Sequence, residues 1–211
     1  MNTVKICWLG HSCFRMEFGD WSLVIDPYAD GSVDGLGSIR QSADAVFCSH
    51  SHSDHSAAEN VTLSGRPAPE DFTVETVEVA HDHHGGEKRG MNKIHIFTFG
   101  QRRIVHMGDT GSVPGEEVLK KLRGCDLLLI PIGGFFTIDG AEAMEIVRAA
   151  HPRAVIPMHY RTEAFGFGIL ATPDAFVRDF AGPVTELDGS ALSLTDAGPS
   201  GLILLRPAML G

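Results

Sequence analysis

The run His50-Ser51-His52-Ser53-Asp54-His55 constrains this chain more than any other stretch. It packs three imidazoles and a carboxylate into an HxHxDH pattern. These are ligands for a Zn²⁺-like ion, and an oxygen ligand suits a hydrolytic site better than a closed structural one. The apolar run Ala45-Val46-Phe47-Cys48 precedes it, so it stands where a buried strand gives way to a loop. Side chains at i and i+2 share a direction in extended backbone, so His50 and His52 can grip one metal. Asp54 and His55 lie past the turn, at the head of a helix expected over 54–60, within reach of a second metal.

The 211 residues suffice for one domain with a substantial core, expected to span 1–211. No apolar run approaches the roughly 20 residues of a transmembrane helix. The segment from Met1 to Lys5 enters a strand-like pattern at once and lacks the features of a signal peptide. Cys7, Cys13, Cys48 and Cys125 lie in or beside strand-like segments with no CxxC pair, as expected of reduced thiols in a cytoplasmic protein. The net charge of −10 argues against a non-specific nucleic-acid binder, which needs a basic stripe to displace counterions. It leaves a small-molecule substrate as the expected partner, with no membrane. A homo-oligomer stays open, since the apolar 202–210 segment can pack in the core or on another copy.

Strands are predicted over 4–9, 13–18, 21–25, 45–48, 73–79, 94–99 and 102–107, with Gly19-Asp20 and Gly100-Gln101 as turns. A Gly/Asp/Ser-rich loop covers 28–42. The second half alternates. A helix over 114–122 takes Ser112 as a possible cap, and Asp139 caps a helix over 141–150. Another helix spans 173–180, and strands cover 126–130, 154–157, 184–187, 192–194 and 202–205.

Four further candidates each follow a predicted strand: Asp26, His81, Asp109 in Gly108-Asp109-Thr110-Gly111, and His159 in Pro157-Met158-His159-Tyr160. Ligands gathered at one edge of a sheet sandwich would be neighbours in space. His83 or His84 can replace His81, although His81 sits at the strand exit. His106, on a strand, reads as packed, and His95 and His151 as structural. His11 either lines the site or bonds a turn.

In the order of these motifs the chain resembles the metallo-β-lactamase superfamily over nearly its whole length. Gly10-His11-Ser12, His81-Asp82, Gly85-Gly86, Arg89-Gly90 and Pro131-Ile132-Gly133-Gly134 look like its small lactonase-like branch, which includes ascorbate-6-phosphate lactonase-type enzymes. The resemblance implies an α/β (α+β) fold, a four-layer αββα sandwich of two mixed sheets with the site at one edge. It also implies roles: His50, His52 and His81 on one metal; Asp54, His55 and His159 on the second; Asp109 bridging; and Asp26 orienting a ligand by hydrogen bonding. The cofactors would be two divalent ions, zinc foremost, with manganese or iron as alternatives.

Two such ions about 3.5–4 Å apart share a hydroxide that can attack a carbonyl or phosphoryl centre. Asp54 would orient that nucleophile or shuttle its proton. The expected activity is hydrolysis of a lactone or related ester. The alternative is a phosphodiesterase or nuclease of the same fold, and a non-catalytic metal-binding role is a third reading. Walls of the substrate cleft are expected from 28–42, Gly133–Phe136 and 160–168. His11, Arg89, Tyr160 and Arg161 are candidate substrate contacts, the arginines because they clasp phosphate or carboxylate bidentately.

Overall fold

Three short runs at the head of the chain pair antiparallel because tight turns join them: β1 (Val4–Gly10), β2 (Cys13–Phe18) and β3 (Trp21–Ile25). The computed structural model describes residues 3–210, so Met1, Asn2 and Gly211 of the expected 1–211 domain lie outside the described residues. There follow β4 (Gln41–Ala43), β5 (Ala45–Phe47), a 3₁₀ turn at Ala58–Asn60, β6 (Val61–Leu63), β7 (Phe72–Ala80), β8 (Met91–Phe99) and β9 (Arg102–His106). The alternating part is α1 (Glu116–Leu122), β10 (Leu127–Pro131), α2 (Gly140–Ala150), β11 (Ala154–Met158), α3 (Asp174–Asp179), β12 (Val184–Glu186), β13 (Ala191–Leu194) and β14 (Gly201–Leu204).

Two mixed sheets result, one of five strands ordered β13-β1-β2-β3-β5 and one of seven ordered β12-β14-β11-β10-β9-β8-β7. Alternation along β1 to β3 sends Ile6, Trp8, Phe14, Met16, Leu23 and Ile25 inward, where they share a core with Ile94, Phe97, Ile104 and Leu129 of the second sheet. β10 is buried on both faces, as a parallel strand flanked by β9 and β11 must be. Helix α2 packs on it between α1 and α3. This is the expected αββα sandwich, with one modification. The outward residues Leu9, Cys13 and Val24 are covered by Tyr28, Val33, Ile39, Ala43 and Val61, so loop and the small parallel β4-β6 sheet form that outer layer.

Several local expectations change. The helix over 54–60 is absent apart from the 3₁₀ turn. The His55 amide closes a tight turn on the His52 carbonyl, and Ala57 N–H is taken by Pro27, so no i→i−4 ladder can run. Ser112 does not cap α1; Gly115, in extended conformation, precedes it without a side-chain cap. The 28–42 loop ends in β4, which pairs with the unforeseen β6. Asp139 does cap α2, and Glu142 closes the reciprocal half of a capping box. Leu202, Ile203 and Leu205 are buried, whereas Leu210 is exposed. The four cysteines are free; Cys13 and Cys125 are buried, and Cys7 and Cys48 only partly so. No helix of the described residues is long and apolar enough to cross a membrane.

Candidate metal centre

All seven proposed ligands stand just past strand ends on one edge of the sandwich. His50, His52, Asp54 and His55 follow β5, His81 follows β7, Asp109 follows β9 and His159 follows β11. Asp109 lies between two groups. Its Oδ2 is 3.2 Å from His159 Nε2, 3.6 Å from His81 Nε2 and 4.0 Å from His50 Nε2; its Oδ1 is 3.3 Å from His55 Nε2. His50, His52 and His81 form one set whose donor atoms lie within 4.8 Å of one another; His11, Asp54, His55 and His159 form another.

Whether these residues fit metal ions is decided by their unsatisfied atoms. Nε2 of His50, His55 and His159 and Oδ1 of Asp109 are buried with no hydrogen-bond partner. Buried polar atoms in that state cost free energy unless something fills the space between them. The donor set of imidazoles and carboxylates matches a zinc-, manganese- or iron-type ion.

Asp26 sets the imidazole tautomers. Its Oδ1 accepts from Ser49 N–H at 2.6 Å, and its Oδ2 accepts from Ser49 Oγ at 2.7 Å and from His55 Nδ1 at 2.8 Å. A carboxylate can only accept, so His55 keeps a proton on Nδ1, which leaves Nε2 as the atom that faces Asp109. Since the Ser49 hydroxyl donates to Asp26, it accepts from His50 Nδ1 at 3.0 Å, which frees His50 Nε2 in the same sense. Asn92, buried on β8, fixes Asp109: its Oδ1 accepts the Asp109 amide at 2.8 Å and its Nδ2 donates to Met107 O. His106 Nε2 donates to Ser12 O, and its Nδ1 accepts from Gly108 N–H, so this ring is a satisfied brace between the β1-β2 turn and the Asp109 loop.

Charge follows geometry. Burial pushes the Asp26 carboxyl up, but His55, together with His106 and the Ser49 hydrogen bond, outweighs it and holds the group at about 2. Burial likewise opposes ionisation of Asp109, yet His159 and His55 hold it well below the carboxylate range. Burial, aided by His55, lowers His50 to about 3, keeping a neutral imidazole available as a donor. On His55 burial acts against a positive charge, but Asp109 and Asp26 raise it far above the imidazole value. A field that favours a proton there also favours a divalent cation.

Backbone strain marks the same place. His11, Asp26 and His159 have φ of +52°, +50° and +52°, the left-handed region that residues other than glycine seldom enter. Gly111 is required by contact: a Cβ there would lie 2.0 Å from Asp82 N, beside His81.

Beside the centre is a cleft of about 360 Å³ lined by His52, Ser53, Asp54, His81, Arg89, Asp109, Phe136 and Phe167. The Arg89 guanidinium lies 4.7 Å from the Phe136 ring centroid, with Nη1 donating to Phe135 O. Other sequence candidates sit elsewhere. Tyr160 is buried against Trp8 and Phe165, an aromatic body claimed by the core. Arg161 pins its own loop through Leu170 O and does not line the cleft. His11 is fully buried, so it cannot meet substrate directly. His83 pairs with Glu142 and His84 with Lys88, both away from the centre, while His81 joins it. Ser49 and Asn92 escaped sequence reasoning. Asn92 carries a faint signal, a polar residue at an inward position of the Asn92, Ile94, Ile96 alternation.

Comparison with known proteins covers this same region. Residues 5–159, which include every proposed ligand, match the family described as the beta-lactamase superfamily domain. A UPF0173 protein of Pyrococcus furiosus is 32% identical over 184 residues, 75% of this chain and 84% of that protein. A UPF0173 metal-dependent hydrolase of Natranaerobius thermophilus is 27% identical over 75% of this chain and 84% of its own length. A crystal structure from Thermotoga maritima, of a candidate Zn-dependent hydrolase of the metallo-beta-lactamase superfamily, is similar with a TM-score of 0.75. Its sequence identity is 26%, over 96% of this chain and 98% of that one.

Proposed function

The chain belongs to the metallo-β-lactamase superfamily, and on that footing we propose that it is a metal-dependent hydrolase that holds two divalent ions and opens a lactone or related ester of a small molecule. The observation that carries this reading is Asp109, set between two histidine groups and facing the buried, unpartnered Nε2 atoms of His50, His55 and His159. His50, His52 and His81 would hold one ion, Asp54, His55 and His159 the other, with Asp109 shared. When bound, the ions supply a water of lowered pKa and a Lewis-acid contact for the substrate oxygen.

The remaining work falls to the protein. Asp54 faces the cleft and orients the attacking water by accepting its hydrogen bond. A bond forms from the water oxygen to the carbonyl carbon, the ring C–O bond breaks, and the water's proton passes to the leaving oxygen. Phe136 and Phe167 present an apolar wall, and Arg89 offers the one guanidinium among the cleft-lining residues, suited to an anionic group on the substrate.

The test is hydrolysis by the Zn²⁺- or Mn²⁺-loaded protein on paired panels of lactones and phosphodiesters, with Asp109→Ala as control. Lactone turnover that disappears in the variant, together with metal, is expected. Turnover of phosphodiesters alone would replace the substrate class, and full activity of Asp109→Ala with one ion or none would end the two-ion reading.

A further inference from the structure

Resting on the two-ion reading above, we infer that His11 is a further protein ligand of the buried ion site, beside Asp54, His55 and His159. The His50, His52 and His81 site is then the one left with an open position toward the cleft. His11 Nε2 lies 3.2 Å from Asp54 Oδ2, the same separation as His159 Nε2 from Asp109 Oδ2. Donors at about 2.0–2.2 Å from one ion stand roughly 3–3.5 Å apart. One donor atom from each of the four residues lies within 4.8 Å of the other three. The His11 and His159 rings are 4.1 Å apart between centroids, closer than His11 and His55 at 5.4 Å.

The backbone is built to hold this pair. His11 and His159 both take left-handed φ, and the His11 carbonyl accepts from Trp8 Nε1 at 2.9 Å and from His159 N–H at 3.4 Å. Phe167 lies edge-on at 5.4 Å and covers the His11 ring. Full burial excludes His11 from the cleft, so its strained backbone serves an internal partner.

The two sites then differ in kind. The first set includes the exposed His52, and His52 and His81 line the cleft. The second set is buried apart from Asp54, which is only partly exposed. Structural sites are closed by protein ligands and reactive sites keep a position open. His11 supplies the closure on the buried side.

The test is Co²⁺ titration of the full chain after EDTA stripping. It is followed by visible absorption, by bound-metal analysis, and by the hyperfine-shifted imidazole N–H resonances. His11→Asn suits the left-handed backbone. His11→Gln keeps an N–H able to reach Asp54 but offers a poor ligand. Folding is checked by melting of the stripped forms. The expected result is two ions in the wild type. In both variants one ion is retained, the second binds more than about 100-fold more weakly, and one imidazole resonance is missing. That loss exceeds the roughly 10–100-fold caused by removing a hydrogen-bonding neighbour of a ligand. If His11→Gln keeps both ions within a few-fold of wild-type affinity, His11 acts through its hydrogen bond to Asp54 and the assignment fails. If the wild type itself takes fewer than two ions, the reading it rests on fails first.

Discussion

Replacing Asp26 by Asn exchanges one carboxylate oxygen for an NH₂ group and leaves shape and backbone almost unchanged. Asn tolerates the φ of +50° that Asp26 adopts, so the variant isolates chemistry from strain. The amide oxygen must take the Ser49 N–H, which needs an acceptor and is 2.6 Å away. The NH₂ then faces His55 Nδ1, formerly 2.8 Å from a carboxylate oxygen. Two donors cannot share that contact. Either His55 moves its proton to Nε2, blocking the atom that faces Asp109, or a buried donor stays unpaired at about 1–3 kcal/mol. At 1.4 kcal/mol per decade, metal affinity falls about 10–100-fold, the usual effect of such a neighbour. Competition with a chromophoric chelator, at fixed pH and salt, measures this for each ion. Asp26→Ala should lose more, because it adds left-handed strain of about 1–2 kcal/mol to the missing bonds. Affinities within threefold of wild type for Asp26→Asn, with unchanged hydrolysis, would refute tautomer control by Asp26.

Gly133→Ala places a Cβ 2.1 Å from the His159 carbonyl, so that strand end must move. A stability loss of about 1–3 kcal/mol in urea, with weakened binding of the buried ion, is expected. Asp44, its side chain 5% exposed, accepts from Ser22 N–H at 2.7 Å and from the Ser64 hydroxyl. Burial opposes its charge, but those bonds and Arg66 hold its pKa below the ordinary 3.8. A depressed carboxyl stabilises the fold above its ordinary value and loses that effect as pH falls through the folded one. The urea-measured deficit of Asp44→Ala should therefore be about 2 kcal/mol at pH 7 and shrink below pH 4; a deficit unchanged at pH 3 contradicts this. Arg89→Ala should raise KM about tenfold for an anionic ester and little for a neutral one, since one charge-assisted bond is lost at a wet cleft. Equal effects on both substrates would remove Arg89 from recognition.

The convergence of the candidate residues was legible because each stood directly after a strand, and strand ends on one edge of a sandwich converge whatever the loops do. His81 was separable from His83 and His84 on that ground, and the structure brings His81 to the centre. Asp139 was legible because a capping box is local chemistry. What was hidden depends on distant partners. Ser49 matters only because Asp26 lies beside it, 23 residues away in sequence. The 54–60 helix failed because Pro27 took a backbone donor, and Tyr160 was claimed by Trp8. The left-handed turns at His11, Asp26 and His159 leave no trace in composition, because only the assembled sheets hold them there.

The proposed centre draws His11, Asp26 and the His50–His55 turn from the five-stranded sheet, and His81, Asp109 and His159 from the seven-stranded one. Ions bound there would rivet two leaves of the sandwich along one seam. Stability would then scale with free metal, by about 2.7 kcal/mol at one hundred times the dissociation constant. Scarcity would loosen this seam first and leave the far edges shut. Amide exchange at Ser49, Asp109 and His159 would thus act as a gauge of metal supply, with the catalyst and the fastener between the leaves one and the same object.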